Sequence, residues 1–324
     1  MAQDNAQLGL FSPDAPAVGP AHVAPELARI ARLLPEGVRL GTSSWSFPGW
    51  AGLVYDRLAS EDVLAHRGLA AYAAHPLLRT VSVDRAFYRA LDRKQLRAHA
   101  ADVPEGFRFL AEADRQVTSP LDPEAGSRGS RNPRFLDAAY ASRELVRPML
   151  EAWGSKLGAL IFRFPPIPPN LVGGTDAFLE RLASFLTALP TSCLYAVELR
   201  TPAFLCGRYA EVLESTGAAH CYNVHPAMVP LARQLTAVRP YQQPALVVRW
   251  MLGRGQEYGS AKQRYDPFDR LVDADPRTRE LIARAVLDAS LAEREAYVIA
   301  DNEAEGSAPL TVFELAARIA KWSP

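Results

Sequence analysis

The sequence is poor in cysteine and carries no excess of charge of either sign. Its 324 residues include three cysteines, Cys193, Cys206 and Cys221, and no two of them form a C-x-x-C pair. So small and odd a number argues against a disulfide framework and a structural zinc site, and it is typical of a cytoplasmic protein. Lysine plus arginine and aspartate plus glutamate each number 36. The chain as a whole therefore lacks the charge that drives non-specific attraction to nucleic acid or anionic membranes.

Long hydrophobic runs are missing as well. No apolar stretch reaches the roughly 18 residues that would suggest a membrane span, and the first twenty residues have neither the basic nor the apolar region of a signal peptide. There is no H-x-H or H-E-x-x-H metal spacing and no G-x-S-x-G of serine hydrolases. We predict that residues 1–23, rich in Ala, Pro and Gly, form a mobile tail, and that residues 24–324 form one domain.

What the sequence does contain is a strict alternation of short apolar runs with helical patterns. Eight runs are predicted to be strands: 38–44, 80–83, 107–111, 159–164, 194–199, 218–223, 245–250 and 296–300. A stretch with helical periodicity follows each of them, and a short amphipathic helix at 25–34 precedes the first. Apolar strands separated by helices pair in parallel with both faces covered. Eight of them favour a TIM-type (β/α)8 barrel over an open sheet of the same order.

Three of the predicted βα loops are long. They follow strands 3, 4 and 7, at about residues 119–133, 165–175 and 252–276. Long loops in compact domains are commonly functional. All three would lie on the face of the barrel where enzymes of this fold keep their active sites.

Six motifs occur in a fixed order along this pattern. They are GTSSWSFPGWAGLVY, TVSVDRAFYR, LGALIFRFPP, YAVELRTPAF, VVRWMLG and DNEAEGSAP. Between about residues 38 and 321 the sequence therefore resembles the YecE-like family, whose pattern reads roughly G-T-S-x-W, N-x-x-F-Y, F-Q-F-P-P, V-E-x-R, V-R-x-H-G and N-N. This family is a domain of unknown function. The resemblance implies a TIM-barrel fold and brings no settled reaction with it.

The sequence departs from the family pattern at charged positions. Arg163 stands in place of the glutamine of F-Q-F-P-P, and Glu112 stands in place of a lysine near the end of strand 3. Asp301 replaces the first asparagine of N-N, and the asparagine before F-Y is replaced by Asp84 or Arg85. The resemblance therefore implies a divergent member whose site charges are rearranged.

Charged residues within apolar strands indicate a polar site at the barrel mouth. Because side chains alternate along a strand, Glu198 and Arg200 lie on one side of strand 5. A charged side chain there loses less free energy when it faces inward at the mouth than when it faces the helix layer. The same argument applies to Arg163 and Arg249. The candidate counter-charges come from strands 2, 3, 5 and 8: Asp84, Glu112, Glu198 and Asp301. Such charges could clamp an anion, because the guanidinium fork matches phosphate or carboxylate, or they could form a purely structural network.

We predict that Glu198 and Asp301 are catalytic, as general acid and base. The predicted substrate-binding residues are Arg163, Arg200, Arg249, Trp45, Tyr88, Asp84, Glu112, Asn302 and Tyr265. The resulting interpretation is a hydrolase that acts on a polar, anionic substrate, either a phosphate ester or a glycoside, without a metal or other cofactor. A mixed nitrogen and oxygen metal site that includes Asn223 and His225 is the weaker alternative.

A non-catalytic protein that binds nucleic acid or small anions is the alternative from another class. Phosphates would then be contacted by basic residues of the loops after strands 3 and 7, namely Arg115, Arg128, Arg131, Arg134, Arg254, Lys262 and Arg264. The sequence predicts no membrane association. It leaves the oligomeric state, the substrate and the bond cleaved open.

Overall fold

Eight parallel strands close into a barrel in the computed structural model, which describes residues 18–83, 93–124, 129–253 and 255–322. They are β1 (Val38–Thr42), β2 (Leu78–Val83), β3 (Arg108–Glu112), β4 (Leu157–Arg163), β5 (Tyr195–Glu198), β6 (Ala219–Val224), β7 (Ala245–Trp250) and β8 (Glu295–Ala300). The strands pair in chain order, and β8 closes the barrel on β1. The predicted (β/α)8 barrel is therefore confirmed.

Helices surround and connect the strands. Those of the described residues are α1 (Pro25–Leu33), α2 (Glu61–Arg67), α3 (Leu69–Ala73), α4 (Arg93–Ala101), α5 (Arg115–Thr118), α6 (Ala138–Ala141), α7 (Arg147–Trp153), α8 (Thr175–Thr187), α9 (Gly207–Thr216), α10 (Leu231–Ala237), α11 (Tyr258–Tyr265), α12 (Pro276–Leu291), α13 (Asn302–Glu305) and α14 (Ala308–Ala320). A π-helical turn (Ser142–Val146) joins α6 to α7. Of these helices, none has the length and apolar character needed to cross a bilayer.

The helical stretch that follows β3 and precedes β4 contains an α-helix that begins only at Ala138. Leu136 has a φ of 56°, a left-handed conformation that an α-helix does not contain. Asp137 then accepts a hydrogen bond from the backbone N–H of Tyr140 at 2.9 Å, which is the geometry of an N-cap. These two local features, which apolar spacing does not report, set the start of α6 at Ala138.

The described part of the predicted tail packs on the loop after β1. Ala21 is buried, and its backbone N–H donates to the carbonyl oxygen of Val54 at 2.9 Å. Residues 1–17 lie outside the described part of the chain. The division into a tail and one domain stays a prediction.

The barrel interior is apolar along most of its length and charged at the C-terminal ends of the strands. The apolar part is formed by alternate residues of β3 to β8: Leu110, Ala159, Ile161, Ala196, Ala219, Cys221, Ala245, Val247, Tyr297 and Ile299. The period of two along a strand makes the next inward residues Glu112, Arg163, Glu198, Asn223, Arg249 and Asp301. The fold therefore stacks a polar layer on an apolar floor.

β1 and β2 approach each other closely at Gly41. This residue is paired in register with Thr80, next to an irregularity of β1. A Cβ atom at Gly41 would overlap the carbonyl oxygen of Thr80 and would lie 2.6 Å from its carbonyl carbon. Because the obstacle is backbone, no rotamer change can relieve it.

We expect Gly41→Ala to lower the free energy of unfolding by about 1–3 kcal/mol, because the two strands must separate to admit the methyl group. Urea unfolding followed by circular dichroism measures the change. Gly106→Ala is the matched control, since a Cβ there meets nothing within 4 Å. Equal effects of the two substitutions would contradict the close approach.

Candidate functional site

Five side chains form a continuous chain of ion pairs across the barrel mouth, called the ion-pair chain below. Arg163 on β4 donates from Nε to Oε2 of Glu112 on β3 at 2.8 Å. Arg249 on β7 pairs with Glu112 and also with Oε2 of Glu198, the latter at 2.8 Å. Arg200 pairs with Oε1 of Glu198 through Nε at 2.8 Å and Nη2 at 2.7 Å. Each carboxylate therefore lies between two guanidinium groups.

Burial makes this arrangement costly to interrupt. The side chains of Glu112, Glu198 and Arg249 are at most 1% exposed, whereas that of Arg163 is 18% exposed. Removing one member would leave an uncompensated charge in a low-dielectric interior. The ion-pair chain therefore contributes to the stability of the mouth, whatever else it does.

Glu198 stays ionised in this environment. Burial alone would raise the pKa of its carboxyl group, but Arg200, Arg249 and Arg163 together outweigh burial and hold the pKa at about 2. A carboxylate with so low a pKa has no proton to donate near neutral pH and is a weak proton acceptor. Its surroundings therefore favour the role of a fixed counter-charge over the predicted role in acid-base catalysis.

Asp301 is the mouth carboxyl group with the opposite behaviour. It follows β8, it is 7% exposed, and its Oδ1 has no hydrogen-bond partner within the described residues. Burial raises its pKa from 3.8 to about 7, although the nearby charge of Arg249 acts in the other direction. Its carboxyl group can therefore gain and lose a proton near neutral pH, as a general acid or base must.

The ion-pair chain ends at Arg200, whose side chain is 8% exposed, and this exposed part of the mouth is called the recess below. Nη2 of Arg200 also contacts the sulfur atom of Met251 at 3.1 Å. Its Nη1 has no hydrogen-bond partner among the residues that the structure describes. An anion in the recess would find two N–H donors there.

Two rings, His225 and Tyr258, lie near Arg200 with their centroids 6.0 Å apart. Burial, with a further contribution from Arg200, lowers the pKa of His225 to about 4, so its imidazole is neutral at pH 7. Nδ1 of His225 accepts a hydrogen bond from the N–H of Ala227 at 3.1 Å. The proton of the neutral ring is therefore assigned to Nε2, which makes that atom a donor.

Trp45, one of the predicted substrate-binding residues, is buried against the surrounding helices. It is 5% exposed, and its Nε1 donates to the carbonyl oxygen of Leu64 on α2 at 3.1 Å. Its ring meets the edge of His99 on α4, with 5.2 Å between centroids. Trp45 is thus used to pack helices against the barrel.

Tyr265 and Asn302 are also occupied by contacts within the fold. Tyr265 is 1% exposed, and its hydroxyl oxygen lies 2.7 Å from Oε1 of Gln256 and 2.6 Å from Oδ2 of Asp273. Oδ1 of Asn302 accepts hydrogen bonds from Nε1 of Trp50 and from the N–H of Ala308, whereas its Nδ2 has no hydrogen-bond partner within the described residues. These contacts hold the loops after β7 and β8 and leave no surface of the Tyr265 ring for a substrate. Asp84 and Tyr88 lie outside the described residues.

Asn223, His225 and Tyr258 belong to the mouth, although none of them is among the predicted substrate-binding residues. The period of two along β6 continues from Cys221 to Asn223 and His225, which is the signal that identified Glu198. For Asn223 and His225 the sequence suggested only the weaker alternative, a metal site. In the described residues, no group of three His, Cys, Asp or Glu side chains is arranged to hold a metal ion. The absence of a cofactor stays a prediction.

Several basic residues of the long loops already have partners within the chain. Arg264 pairs with Asp273 at 2.6 Å, and Arg115 donates to the carbonyl oxygen of Pro123 at 3.2 Å. The guanidinium of Arg134 lies 4.9 Å from the ring centroid of Tyr140. Arg128 and Arg254 lie outside the described residues. Binding of nucleic acid by these loops stays a prediction.

Fold and mouth together define a (β/α)8 barrel with a buried ionic layer at its C-terminal face. The model of the family described as "Protein of unknown function DUF72" matches residues 39–323, so the chain belongs to this family. The predicted family resemblance is thereby confirmed, since YecE-like is another name for DUF72.

Solved structures of two relatives share the fold. A DUF72 family protein from Enterococcus faecalis V583 is 21% identical, with a TM-score of 0.58 over 87% of this chain and 95% of that one. A DUF72 family protein from Thermotoga maritima MSB8 is 18% identical, with a TM-score of 0.56 over 86% of this chain and 98% of that one. At such identities the likeness extends to the fold alone. No curated protein matches the chain.

Replacing Glu198 by glutamine should lower the free energy of unfolding by about 3–5 kcal/mol, because Arg200 and Arg249 would both lose a buried counter-charge. Urea unfolding at neutral pH measures this. Glu180→Gln is the control, because Glu180 pairs with Arg208 at the surface with its side chain 68% exposed. That variant should unfold almost as the parent does. Similar stabilities of the two variants would refute the energetic role of the ion-pair chain.

Asp301→Asn should remove a pH dependence of stability. A carboxyl group whose pKa is raised in the folded state stabilises the fold while it is protonated, and this stabilisation is lost as the pH rises from its unfolded pKa of 3.8 through its folded pKa of about 7. The unfolding free energy of the variant, relative to the parent, should therefore increase by about 3 kcal/mol between about pH 5 and about pH 8. Urea unfolding at both values measures it. A difference that does not vary with pH would mean that Asp301 is ionised throughout.

Proposed function

We propose that the protein is a hydrolase that cleaves a phosphate ester or a glycoside bearing a negative charge, with Asp301 exchanging a proton with the substrate at the barrel mouth. One arrangement supports this function above all. A buried carboxyl group with a free acceptor atom lies beside the positive charge of Arg249, in the polar layer that several strands build together. Such convergence at the C-terminal ends of strands is where barrel enzymes carry out their reactions.

The donors around the recess favour an anionic substrate. Nη1 of Arg200 and Nε2 of His225 are N–H groups without acceptors among the described residues. A phosphate or carboxylate oxygen accepts strong hydrogen bonds from a guanidinium group. Glu198 keeps this donor in position, because it holds Arg200 by two N–H groups.

The proposed reaction uses the different protonation of the two mouth carboxyl groups. Protonated Asp301 donates its proton to the leaving oxygen while water attacks the phosphorus or anomeric carbon. The attacking water loses a proton, which restores the acid form of Asp301. Glu198 remains ionised and holds the arginines that stabilise negative charge as it develops.

Asp301→Asn should lower kcat by about a hundredfold to ten-thousandfold, because the amide cannot donate the proton. A panel of p-nitrophenyl phosphates and p-nitrophenyl glycosides supplies the substrates, with release of nitrophenol as the measurement. With the parent protein, kcat should fall as the pH rises above about 7, where Asp301 loses its proton.

Arg200→Gln is the companion variant, because it changes binding without touching the acid. It should raise KM and weaken inhibition by inorganic phosphate about tenfold, whereas Asp301→Asn should leave phosphate inhibition unchanged. Arg208→Gln, at the surface pair, should match the parent in every assay. The proposal fails if no substrate of the panel is turned over, or if Asp301→Asn is as active as the parent.

A further inference from the structure

A cavity of about 430 Å³ opens next to the ion-pair chain. Its walls come from the end of β6, the loops after β6 and β7, and the first two turns of α12. Most of the lining is apolar, with Val224, Met228, Val229, Leu231, Leu252 and Leu281 as its main side chains. The volume lies in the range of pockets that enclose small molecules.

Asn223 is a buried polar side chain in this lining. It is 0% exposed, and its Nδ2 donates to the carbonyl oxygen of Leu199 at 2.8 Å. Because a carbonyl oxygen can only accept, this bond fixes which end of the amide is which. Oδ1 of Asn223 is then an acceptor that has no partner within the described residues. A buried acceptor of this kind is suited to a ligand that brings an N–H or O–H group.

The same residue joins the cavity to the ion-pair chain. Asn223 is paired in register with Arg249, and Leu199, which it contacts, lies between Glu198 and Arg200 in the sequence. His225, two residues further along, lines the cavity and also senses the charge of Arg200. The cavity therefore adjoins the end of β6, which contacts Leu199, the residue next to Arg200 in the sequence.

The polar side chains of the far wall are Asp275, Arg277 and Thr278. Both carboxylate oxygens of Asp275 accept hydrogen bonds from Thr278, at 3.0 Å from its N–H and 2.6 Å from its hydroxyl. Arg277 is exposed to solvent. The apolar walls between these groups and Asn223 would leave a sugar ring without hydrogen bonds, which is costly, so they suit a hydrocarbon group.

We infer that the cavity binds an aryl or branched alkyl group of the substrate, that an N–H or O–H group next to it donates to Oδ1 of Asn223, and that the anionic end of the same molecule meets Arg200. This inference deepens the proposed function and rests on it for the anionic end. It narrows the substrate class to amphipathic anions, with phosphate esters or glycosides of an apolar alcohol or phenol as the cleavable forms.

Two fluorescent probes test the cavity. The first, 8-anilinonaphthalene-1-sulfonate, combines apolar rings, one N–H group and an anionic sulfonate. The second, N-phenyl-1-naphthylamine, has the rings and the N–H group without the charge. Both should bind the full chain at one saturable site, with a rise in fluorescence, and the charged probe should bind about tenfold more tightly because of Arg200.

Variants of the cavity wall locate the probes. Leu281→Trp adds volume inside the cavity and should weaken both probes at least tenfold. Ala232→Trp, at an exposed residue on the opposite wall, is a second blocking variant that retains the fold if the first does not. Leu291→Trp is the matched control, since Leu291 lies on the same helix and is 81% exposed. Near-ultraviolet circular dichroism checks that each variant is folded, because this type of probe also stains loosened proteins.

The role of Asn223 is tested by changing the ligand and leaving the protein intact. 1-Phenoxynaphthalene replaces the N–H group of the uncharged probe by an ether oxygen of similar shape. Its dissociation constant, measured from its displacement of N-phenyl-1-naphthylamine, should be about tenfold higher than that of the amine itself. Equal displacement would overturn the hydrogen bond to Asn223.

The outcomes separate the cavity from the anionic recess. Probe binding that Leu281→Trp and Ala232→Trp leave unchanged would overturn the cavity assignment, whatever the hydrolysis assays show. Saturating inorganic phosphate should weaken the sulfonate probe and spare the uncharged one. If phosphate weakens neither probe although both blocking variants abolish binding, the cavity stands and the anionic end at Arg200 is wrong.

Discussion

The sharing of two buried glutamates among three arginines is the constraint on which the mouth of this barrel depends. Glu112 and Glu198 come from different strands, and each lies between two guanidinium groups, one of which belongs to Arg249 on β7. Charged side chains are tolerated in a protein interior only when side chains of opposite charge pair with them. The pairing therefore holds Arg200 in place and keeps Glu198 ionised. For Asp301, burial raises the pKa, although the nearby charge of Arg249 and a hydrogen bond with Ser43 act in the other direction.

Two of the departures from the family pattern, Arg163 and Glu112, are explained by their contact with each other. Arg163 occupies a position where the pattern has glutamine, and Glu112 one where it has lysine, and the two side chains contact each other at 2.8 Å. A positive charge has thus moved from β3 to β4, and the negative charge that β3 acquired neutralises it. In this chain the two replacements form an ionic contact between adjacent strands.

Periodicity along the strands was sufficient to predict the barrel and the residues of its polar layer. Glu198 and Arg249 are conspicuous because a charged side chain within an apolar strand costs least free energy when it points into the barrel mouth. The apolar residues two positions earlier on each strand show which side of the strand faces inward. The same signal was present for Asn223 but was overlooked, because an amide is less conspicuous than a charge. Trp45 and Tyr265 were misjudged for a different reason. An aromatic ring suits both a ligand and a helix interface, and only tertiary contacts distinguish them. The protonation of Asp301 also depends on neighbours distant in sequence.

The apolar floor beneath the ionic layer determines from which side a molecule can reach the barrel mouth. Its residues, from Leu110 on β3 to Ile299 on β8, are at most 3% exposed and close the lumen below the charges. Ions and hydrated protons do not cross such packing readily. A molecule that enters the recess must therefore leave through the same opening. Solvent and any released product use that opening as well. An amphipathic molecule bound in that opening would exclude bulk water from the carboxyl group of Asp301 below it.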